Sequence, residues 1–469
     1  RFRESDQQPL TPSGAEIRTM KRRWTLASVA LGLLLATGVA TAHGVTTRFD
    51  APIPLAHLYA GAGATVALTA LFLTASVGDA ALPARRVDLL APDAGRVARV
   101  AARLLFLAAF AGAVFAGIAG PSNPTSNFAV AFTWAVWLKG VGLLAALFGS
   151  PWRTLSPWRT VYDGLSALEG DEIALATYPD WLGDWPALVG FAALVGVAEN
   201  LTRIPVDPQL TAVLLVGYAL VMLLGGVAFG PTWFERGDPL AVLYRLFGRV
   251  APFRVRRAAG GYELDLRAPW RGCIDEVPSL TTAAFVVTAV YTVSFDGFME
   301  APEYQTLLFD ARDLLELGPV TSVPLYFAGL VAFLAAFWLV AVVTELVTDG
   351  GGAGWSWRRT VVALAPTVVP IAVAYELAHN LYFVVLRAGR VVTILGGPAT
   401  DPLAWLSLSA YWTTQVGLVV GGHVIAVVAA HRVVRGRYDR TGLAHVPLTA
   451  LMVGYTVLSL WIISRPVAA

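Results

Sequence analysis

The chain alternates between long apolar runs and short polar segments over almost its whole length. Runs of about 20 apolar residues have the length that crosses a bilayer as a helix. The pattern therefore predicts an all-α fold, a polytopic integral membrane helical bundle with about ten transmembrane helices after an N-terminal apolar segment. The ten runs are 54–76, 98–120, 127–149, 186–204, 209–229, 279–298, 323–347, 359–386, 405–433 and 444–464.

The composition agrees with a membrane protein, whose first partner is the lipid bilayer. Hydrophobic residues make up 56% of the chain and charged residues only 14%, whereas soluble chains carry about a quarter charged residues. No cluster of Lys and Arg is interleaved with aromatic residues, so a nucleic-acid partner is not expected. The single cysteine, Cys273, excludes an internal disulfide and a Cys-based metal cluster. Nothing in the sequence identifies a protein partner.

The N-terminal region has two parts. Residues 1–19 are polar and contain Pro9 and Pro12, which predicts a disordered extension. Residues 20–42 begin with basic side chains and continue as an apolar run that ends in Ala-Thr-Ala, the pattern of a secretory signal. The segment is either a cleaved signal peptide or a retained signal anchor. Cleavage would make His43 the first residue of the mature protein.

The distribution of arginine predicts how the chain is oriented in the membrane. If the basic end of the signal lies in the cytoplasm, the heaviest Arg clusters fall on the cytoplasmic side, as the positive-inside rule requires. We therefore expect a plasma-membrane protein with a cytoplasmic 230–278 loop and with His43 and the C-terminus outside. The loop separates a first membrane half, 43–229, from a second half, 279–469. Five spans in each half is the number that an inverted repeat needs.

Two loops have recognisable content. The 150–185 segment holds two Trp-Arg pairs, Trp152-Arg153 and Trp158-Arg159, which predict an interfacial helix with Trp and Arg at the lipid headgroups. The 230–278 loop is predicted to form a short amphipathic helix and a small β-hairpin around residues 260–261.

A polar hexad, 375–380, interrupts the apolar eighth span. Helical spacing places Tyr375 over His379, and it lets Glu376 reach both His379 and Asn380. An ionisable residue inside a membrane span is by default a candidate functional site. The alternative is a hydrogen-bonded structural pair.

Acidic residues in two other spans are predicted to lie in the same leaflet as this hexad. Glu199 is near the outer end of the fourth span and Asp296 near the outer end of the sixth. Lys139, near the middle of the third span, is predicted to be a counter-charge to one of the acids. Glu199 has a local alternative, an ion pair with Arg203 one turn further along the chain.

The ninth span adds Tyr411 and Gln415 in its outer half and His423 deeper in the membrane. Tyr411 and Gln415 are predicted either to join two helices or to line a binding site. A haem held by His379 and His423 is disfavoured, because the two residues are expected at different depths, about 10 Å and about 27 Å below the outer surface. His423 follows two glycines and predicts close helix packing or a second polar site.

Motifs spread from His43 to the last span resemble the polytopic prokaryotic membrane proteins known as fenitrothion hydrolases. The resemblance implies hydrolysis of an organophosphate ester, and His43, Asp296, His379 and His423 match the motifs of that family. Glu376 stands where the family carries an apolar residue. The matching segments are 43–44, 52–54, 122–125, 148–153, 157–159, 178–183, 294–298, 378–379, 422–423 and His431.

Three hypotheses of function follow. The first is an outward-facing metal site, with zinc or copper, that activates water to hydrolyse a phosphoester or a similar apolar ester. His379 and Asp296 would be ligands, His43 or Glu376 the third ligand, and Glu199 the base.

The second hypothesis is a transporter or permease with a substrate site in the outer leaflet. Pro366 and Pro370 in the eighth span predict the kinked or discontinuous helix that such sites use. The third is a non-enzymatic membrane subunit, in which the buried polar residues only fix the packing of helices.

Overall fold

The computed structural model describes most of the chain from Pro54 onwards. Everything described belongs to one compact unit, Thr46–Ala469. The predicted extension 1–19, the signal segment 20–42 and His43 lie outside the described residues. The described ranges are 54–75, 85–258, 261–348, 356–399, 401–438 and 441–465.

Ten helices in the described ranges are long and apolar enough to cross a membrane, so the predicted polytopic bundle is confirmed. Shorter helices connect them on one side or the other. In chain order the helices are α1 (Leu55–Ala75), α2 (Pro92–Ala119), α3 (Phe128–Phe148), α4 (Trp152–Leu155), α5 (Pro157–Glu169), α6 (Trp185–Phe191), α7 (Pro208–Phe229), α8 (Pro231–Arg236), α9 (Pro239–Phe247), α10 (Leu280–Phe298), α11 (Pro302–Leu315), α12 (Ser322–Val347), α13 (Trp357–Leu364), α14 (Val369–Ile394), α15 (Leu408–Arg435) and α16 (Thr441–Ile463).

Three of the spans contain irregular turns. α3 is π-helical over Ala131–Val141, and α6 continues as a π-helix over Ala192–Glu199. α13 and α14 together form the eighth span, joined by a 3₁₀ turn, Ala365–Val368. Pro366 and Pro370 have no backbone N–H to donate within the helix, which explains the predicted break at this point. π-helical turns are rare and occur often at functional sites.

Three strands form an antiparallel sheet in the order β1-β3-β2, with β1 at Arg85–Leu90, β2 at Phe253–Ala258 and β3 at Gly261–Leu266. The amphipathic helix predicted in the 230–278 loop is confirmed by α9, and the hairpin by β2 and β3. β1 comes from the loop after α1 and was not predicted. Its pairing with β3 places the loops after the first and the fifth span on one side of the bundle, as alternating spans require. We call this the sheet side, and the other the opposite side.

Contacts on the opposite side join loops that alternation also brings together. The Arg390 guanidinium at the end of the eighth span donates to the Thr125 carbonyl, in the loop before α3, at 3.1 Å. Arg465, after the tenth span, forms an ion pair of 3.0 Å with Glu303, after the sixth. The relative sidedness of the loops therefore agrees with the predicted topology.

The 150–185 segment corrects one prediction. Trp152 and Trp158 are buried inside the protein, because they pack against Trp137 of α3 at ring-centroid distances of 5.6 and 5.9 Å. Their predicted place at the lipid headgroups is therefore wrong. Trp181, later in the same segment, is 79% exposed and has the surface position expected of an interfacial residue.

Candidate functional site

Lys139 lies among three carboxylates that come from three other helices. Its Nζ is 3.2 Å from Glu199 Oε1, 3.5 Å from Asp296 Oδ2 and 3.7 Å from Glu376 Oε1. The lysine side chain is only 9% exposed. Its predicted role as a counter-charge is confirmed, and it contacts three acids instead of one. We call these four residues the Lys139 cluster.

The helices bring the cluster together in different ways. Glu199 is the last residue of one π-helix, and Lys139 lies in the other. Asp296 stands two residues before the end of α10, whereas Glu376 lies in the interior of the eighth span. The alternative partner of Glu199 is wrong, because the Arg203 guanidinium donates instead to Asp207 at 2.7 Å.

The polar groups of the cluster are incompletely satisfied. Within the described ranges, Glu199 Oε2 and the neighbouring Asn200 Nδ2 are buried without a hydrogen-bond partner. Lys139, Asp296, Glu376 and Asn200 line a cavity of about 20 Å³, which has room for one water molecule. Three ionised carboxylates and one ammonium carry a net charge of −2. Because buried net charge is costly, the cluster favours a bound proton or small cation.

His379 connects the cluster to a second small cavity. Its Nε2 is 3.8 Å from Asp296 Oδ2, and Asn380 lies beside Asp296. The predicted stacking of Tyr375 on His379 is confirmed, with ring centroids 5.9 Å apart. His379 and Tyr375 also line a cavity of about 10 Å³ together with Glu300. The imidazole therefore lines the second cavity and approaches Asp296, which lines the first.

The position of Arg390 gives the depth of this site. Arg390 contacts the loop before α3, so it marks the protein surface on the opposite side. His379 precedes it by 11 residues, about 16 Å along a helix. That distance along the helix is longer than the predicted depth of about 10 Å, whereas Asp296, which contacts His379, stands only two residues before the end of its own span. The difference arises because the helix continues to Ile394.

Tyr411 and Gln415 join two helices, which confirms the first of their two predicted roles. Gln415 Nε2 donates to the Ala378 carbonyl at 2.9 Å and to the Tyr411 hydroxyl at 2.9 Å. Gln415 also lines the cavity beside His379. These bonds fix α15 against the polar hexad of the eighth span.

His423 lies outside the cluster. A Cβ at the preceding Gly422 would collide with Ala374 and with the Pro370 carbonyl, so the predicted close helix packing is confirmed. His423 is eight residues beyond Gln415, about 12 Å deeper than the level of His379. The predicted difference in depth is therefore confirmed. Its Nδ1 is 2.8 Å from the Val419 carbonyl oxygen on its own helix.

The predicted metal site stays a prediction, because one of its candidate ligands lies outside the described residues. No group of three His, Cys, Asp and Glu side chains within the described ranges is arranged to hold a metal ion, whereas a catalytic zinc uses three protein ligands. Asp296 and His379 supply two, and the Lys139 ammonium lies among the three acids, 3.2, 3.5 and 3.7 Å from their nearest oxygens. Of the two candidates for the third ligand, Glu376 contacts Lys139 at 3.7 Å, and His43 is the one outside the described residues.

Two further centres were missed by sequence reasoning. An apolar cavity of about 300 Å³ lies on another face of α10, lined among others by Tyr291, Phe295, Phe298 and Tyr304. The aromatic spacing along α10 is a signal that could have found it. The second centre is Asp238, a buried carboxylate in the sheet-side loop. Two of its donors are the backbone amides of Leu240 and Ala241, as expected of an Asp at a helix N-terminus. The side-chain donors come from distant segments, and no local pattern identifies those.

Comparison with known proteins adds no relative, since no family model, no curated protein and no solved structure matches the chain. The resemblance to fenitrothion hydrolases therefore stays a prediction.

Proposed function

We propose that the chain is a secondary transporter coupled to protons or to a small monovalent cation, with the Lys139 cluster as the coupling site. The observation that carries the proposal is that one ammonium is shared by three carboxylates inside the membrane. Ionisable residues within membrane spans are typical of proton relays and ion pathways. Gain or loss of one proton changes the net charge of the cluster, and this change can bias the packing of the four helices that carry it.

The size of the central cavity supports a proton or a small ion as the coupled species. A cavity of about 20 Å³ is far smaller than the several hundred Å³ that organic ligands occupy. His379 is placed to pass a proton between Asp296 and the cavity lined by Glu300. On the sheet side the central cavity is covered by apolar residues, among them Leu243 and Phe247. We propose that protons reach the cluster from the cavity lined by Glu300, since a site accessible from one side at a time is what alternating access requires.

The apolar cavity beside α10 supports a small apolar or amphiphilic substrate. Tyr291, Phe295 and Phe298 line it, and Asp296 belongs to the same helix. A shift of α10 would therefore change both the acidic cluster and the apolar cavity. We propose that this shared helix couples substrate binding to protonation.

The orientation proposed from the arginine clusters determines which side of the membrane supplies the protons. With the sheet side in the cytoplasm, the opposite side of a plasma-membrane protein faces outwards. The cavity beside His379 then accepts protons from outside the cell.

The first test is whether the cluster exchanges protons. Infrared difference spectra of the purified full chain between about pH 4 and about pH 9 should contain the carbonyl band of a buried carboxylic acid. Glu199→Gln or Asp296→Asn should remove part of that band. Glu345→Gln is the matched control, since Glu345 is an acid of α12 that bonds Thr360 and not Lys139. Spectra without a buried carboxyl band, or a band unchanged in both variants, would contradict proton coupling.

The second test is charge movement in reconstituted membranes. Proteoliposomes on a solid-supported electrode should give transient currents when a substrate from a panel of apolar amphiphiles is added. Asp296→Asn should abolish the currents, and Glu345→Gln should retain them. If Asp296→Asn gave currents as large as those of the wild type, transport would not depend on the cluster.

Metal-dependent hydrolysis stays a second prediction, carried by the resemblance and by the 3.8 Å approach of Asp296 and His379. Metal analysis of protein purified without chelators decides it. A content near one ion per chain, lost in His379→Ala, would favour it. A content far below one ion per chain would exclude it.

A further inference from the structure

Trp152 and the arginines of both Trp-Arg pairs, Arg153 and Arg159, line an open cavity of about 290 Å³ on the sheet side. Trp152 and Trp158 both donate their indole N–H to Asp238 Oδ2, each at 2.9 Å. The arginine that follows each tryptophan, Arg153 or Arg159, lines the same cavity. The sequence echo thus builds a repeated unit in which an anchored indole is followed by a guanidinium.

The two guanidiniums have little to bind in the protein. Arg159 is only 10% exposed, and its nearest acidic atom, Glu235 Oε1, is 3.8 Å away. Arg153 lies 3.8 Å from the same oxygen, and both distances exceed a hydrogen bond. The described residues provide no hydrogen-bond acceptor for either guanidinium. Burial, together with the nearby charge of Arg153, lowers the pKa of Arg159.

A third arginine and two acids complete the lining. Arg245 donates to the Glu235 carbonyl oxygen at 2.7 Å, which holds its guanidinium at the cavity. Asp238 is already an acceptor for Trp152, Trp158, the Tyr218 hydroxyl and two backbone amides. Glu235 is therefore the acid that would compete with a bound anion for the arginines.

Three guanidiniums around an open cavity suit a phosphate group. The planar fork of arginine matches the oxygens of phosphate with two parallel hydrogen bonds. Basic pockets on the cytoplasmic side of membrane proteins bind anionic headgroups in this way. The cavity volume also leaves space for more than an isolated phosphate ion.

The helix that carries Arg159 has exposed apolar side chains. Leu165 and Leu168 of α5 are 43% and 86% exposed, and exposed apolar side chains on a short amphipathic helix lie among lipids. We propose that this cavity binds the phosphate of an anionic lipid headgroup, held by Arg153, Arg159 and Arg245.

The test uses the full chain in detergent with added phosphatidylglycerol or phosphatidylcholine, and with inorganic phosphate in a separate series. Native mass spectrometry counts bound lipid, and the thermal unfolding midpoint reports stabilisation. Phosphatidylglycerol should bind and stabilise at concentrations where phosphatidylcholine does not. Arg153→Gln, at an exposed position that tolerates substitution, should weaken binding about tenfold.

Two further variants make the outcome decisive. Glu235→Gln should tighten phosphatidylglycerol binding, because it removes the competing carboxylate and leaves the backbone carbonyl that holds Arg245. Arg257→Gln, on the exposed hairpin outside the cavity, should have no effect. Stabilisation by inorganic phosphate without preference for phosphatidylglycerol would overturn the lipid assignment. Equal losses in Arg153→Gln and Arg257→Gln, or no tightening in Glu235→Gln, would overturn the site.

Discussion

Two buried carboxylate centres of this molecule differ in how completely their oxygens are hydrogen-bonded. Asp238 is one carboxylate with five donors: two indoles, a phenol and two backbone amides. The Lys139 cluster has three carboxylates around one ammonium, and Glu199 Oε2 has no hydrogen-bond partner within the described ranges. A hydrogen-bond network in which every polar atom has a partner rigidifies a structure. A network with unpaired polar atoms favours the binding of a further ligand. The comparison separates a structural centre from a candidate functional one.

The largest effect is expected from Lys139→Met, which removes the one cation of the cluster. Three buried carboxylates then remain uncompensated, at a cost of about 3–5 kcal/mol. Unfolding in detergent at about pH 8 should show this loss, and at about pH 5 part of the stability should return, because carboxylates take up protons. The double variant with Glu199→Gln should recover part of it at both pH values. A midpoint unchanged at pH 8 would contradict the ion contacts.

Asp238→Asn should be nearly as costly, about 3 kcal/mol, since an amide nitrogen cannot accept the bonds that a carboxylate oxygen accepts. Burial raises the pKa of Asp238. The native state therefore holds this proton to higher pH than the unfolded chain, and this contribution to stability falls as pH rises from about 4 to the raised pKa. In the wild type, unfolding curves measured across that pH range should show this fall in stability with pH, and in the variant the fall should be absent. If proton exchange at the Lys139 cluster also changed, the two centres would not be independent.

His379→Gln should leave the fold intact and slow protonation of the cluster about a hundredfold, because the imidazole between Asp296 and the cavity lined by Glu300 is lost. Time-resolved infrared spectra after a pH jump measure this rate. His423→Gln is the control, as a buried histidine outside the cluster. Equal rates in the wild type and in His379→Gln would show that protons reach Asp296 by another route.

Trp152→Phe should give the smallest effect, about 1 kcal/mol, since it removes one of five donors to Asp238 and keeps an aromatic ring in the packing. The unfolding midpoint of this variant, compared with that of Asp238→Asn, sharpens the comparison between the two centres. A loss as large as that of Asp238→Asn would mean that Trp152 acts mainly through the packing of its ring.

Local patterns predicted the parts of this structure that depend on near neighbours. Run length predicted all ten spans, and helical spacing predicted the stacking of Tyr375 on His379. Lys139 was predicted as a counter-charge because an isolated cation in a span needs one. Which acids it contacts depends on the rotation of four helices about their axes, and no single segment encodes that rotation.

The predictions that were wrong have the same origin. Arg203 is the nearest cation to Glu199 along the chain, but it bonds Asp207, and Glu199 contacts Lys139. Trp152 and Trp158 have the sequence of an interfacial segment, but a buried acid 80 or more residues away draws their indoles inward. The π-helical turns of α3 and α6 likewise have no periodicity that distinguishes them from α-helix.

The order of the sheet strands has a consequence for biosynthesis. β1 pairs with β3, the last of the three strands to be synthesised and the central one. At ribosomal speeds of about 5–20 residues per second, β1 waits about 9–35 s before its partner emerges. During that time Val87 and Leu90 belong to an unpaired edge at the membrane surface. Nascent chains arrested before β3 should accordingly expose this strand to proteases or chaperones, and chains arrested after it should protect it.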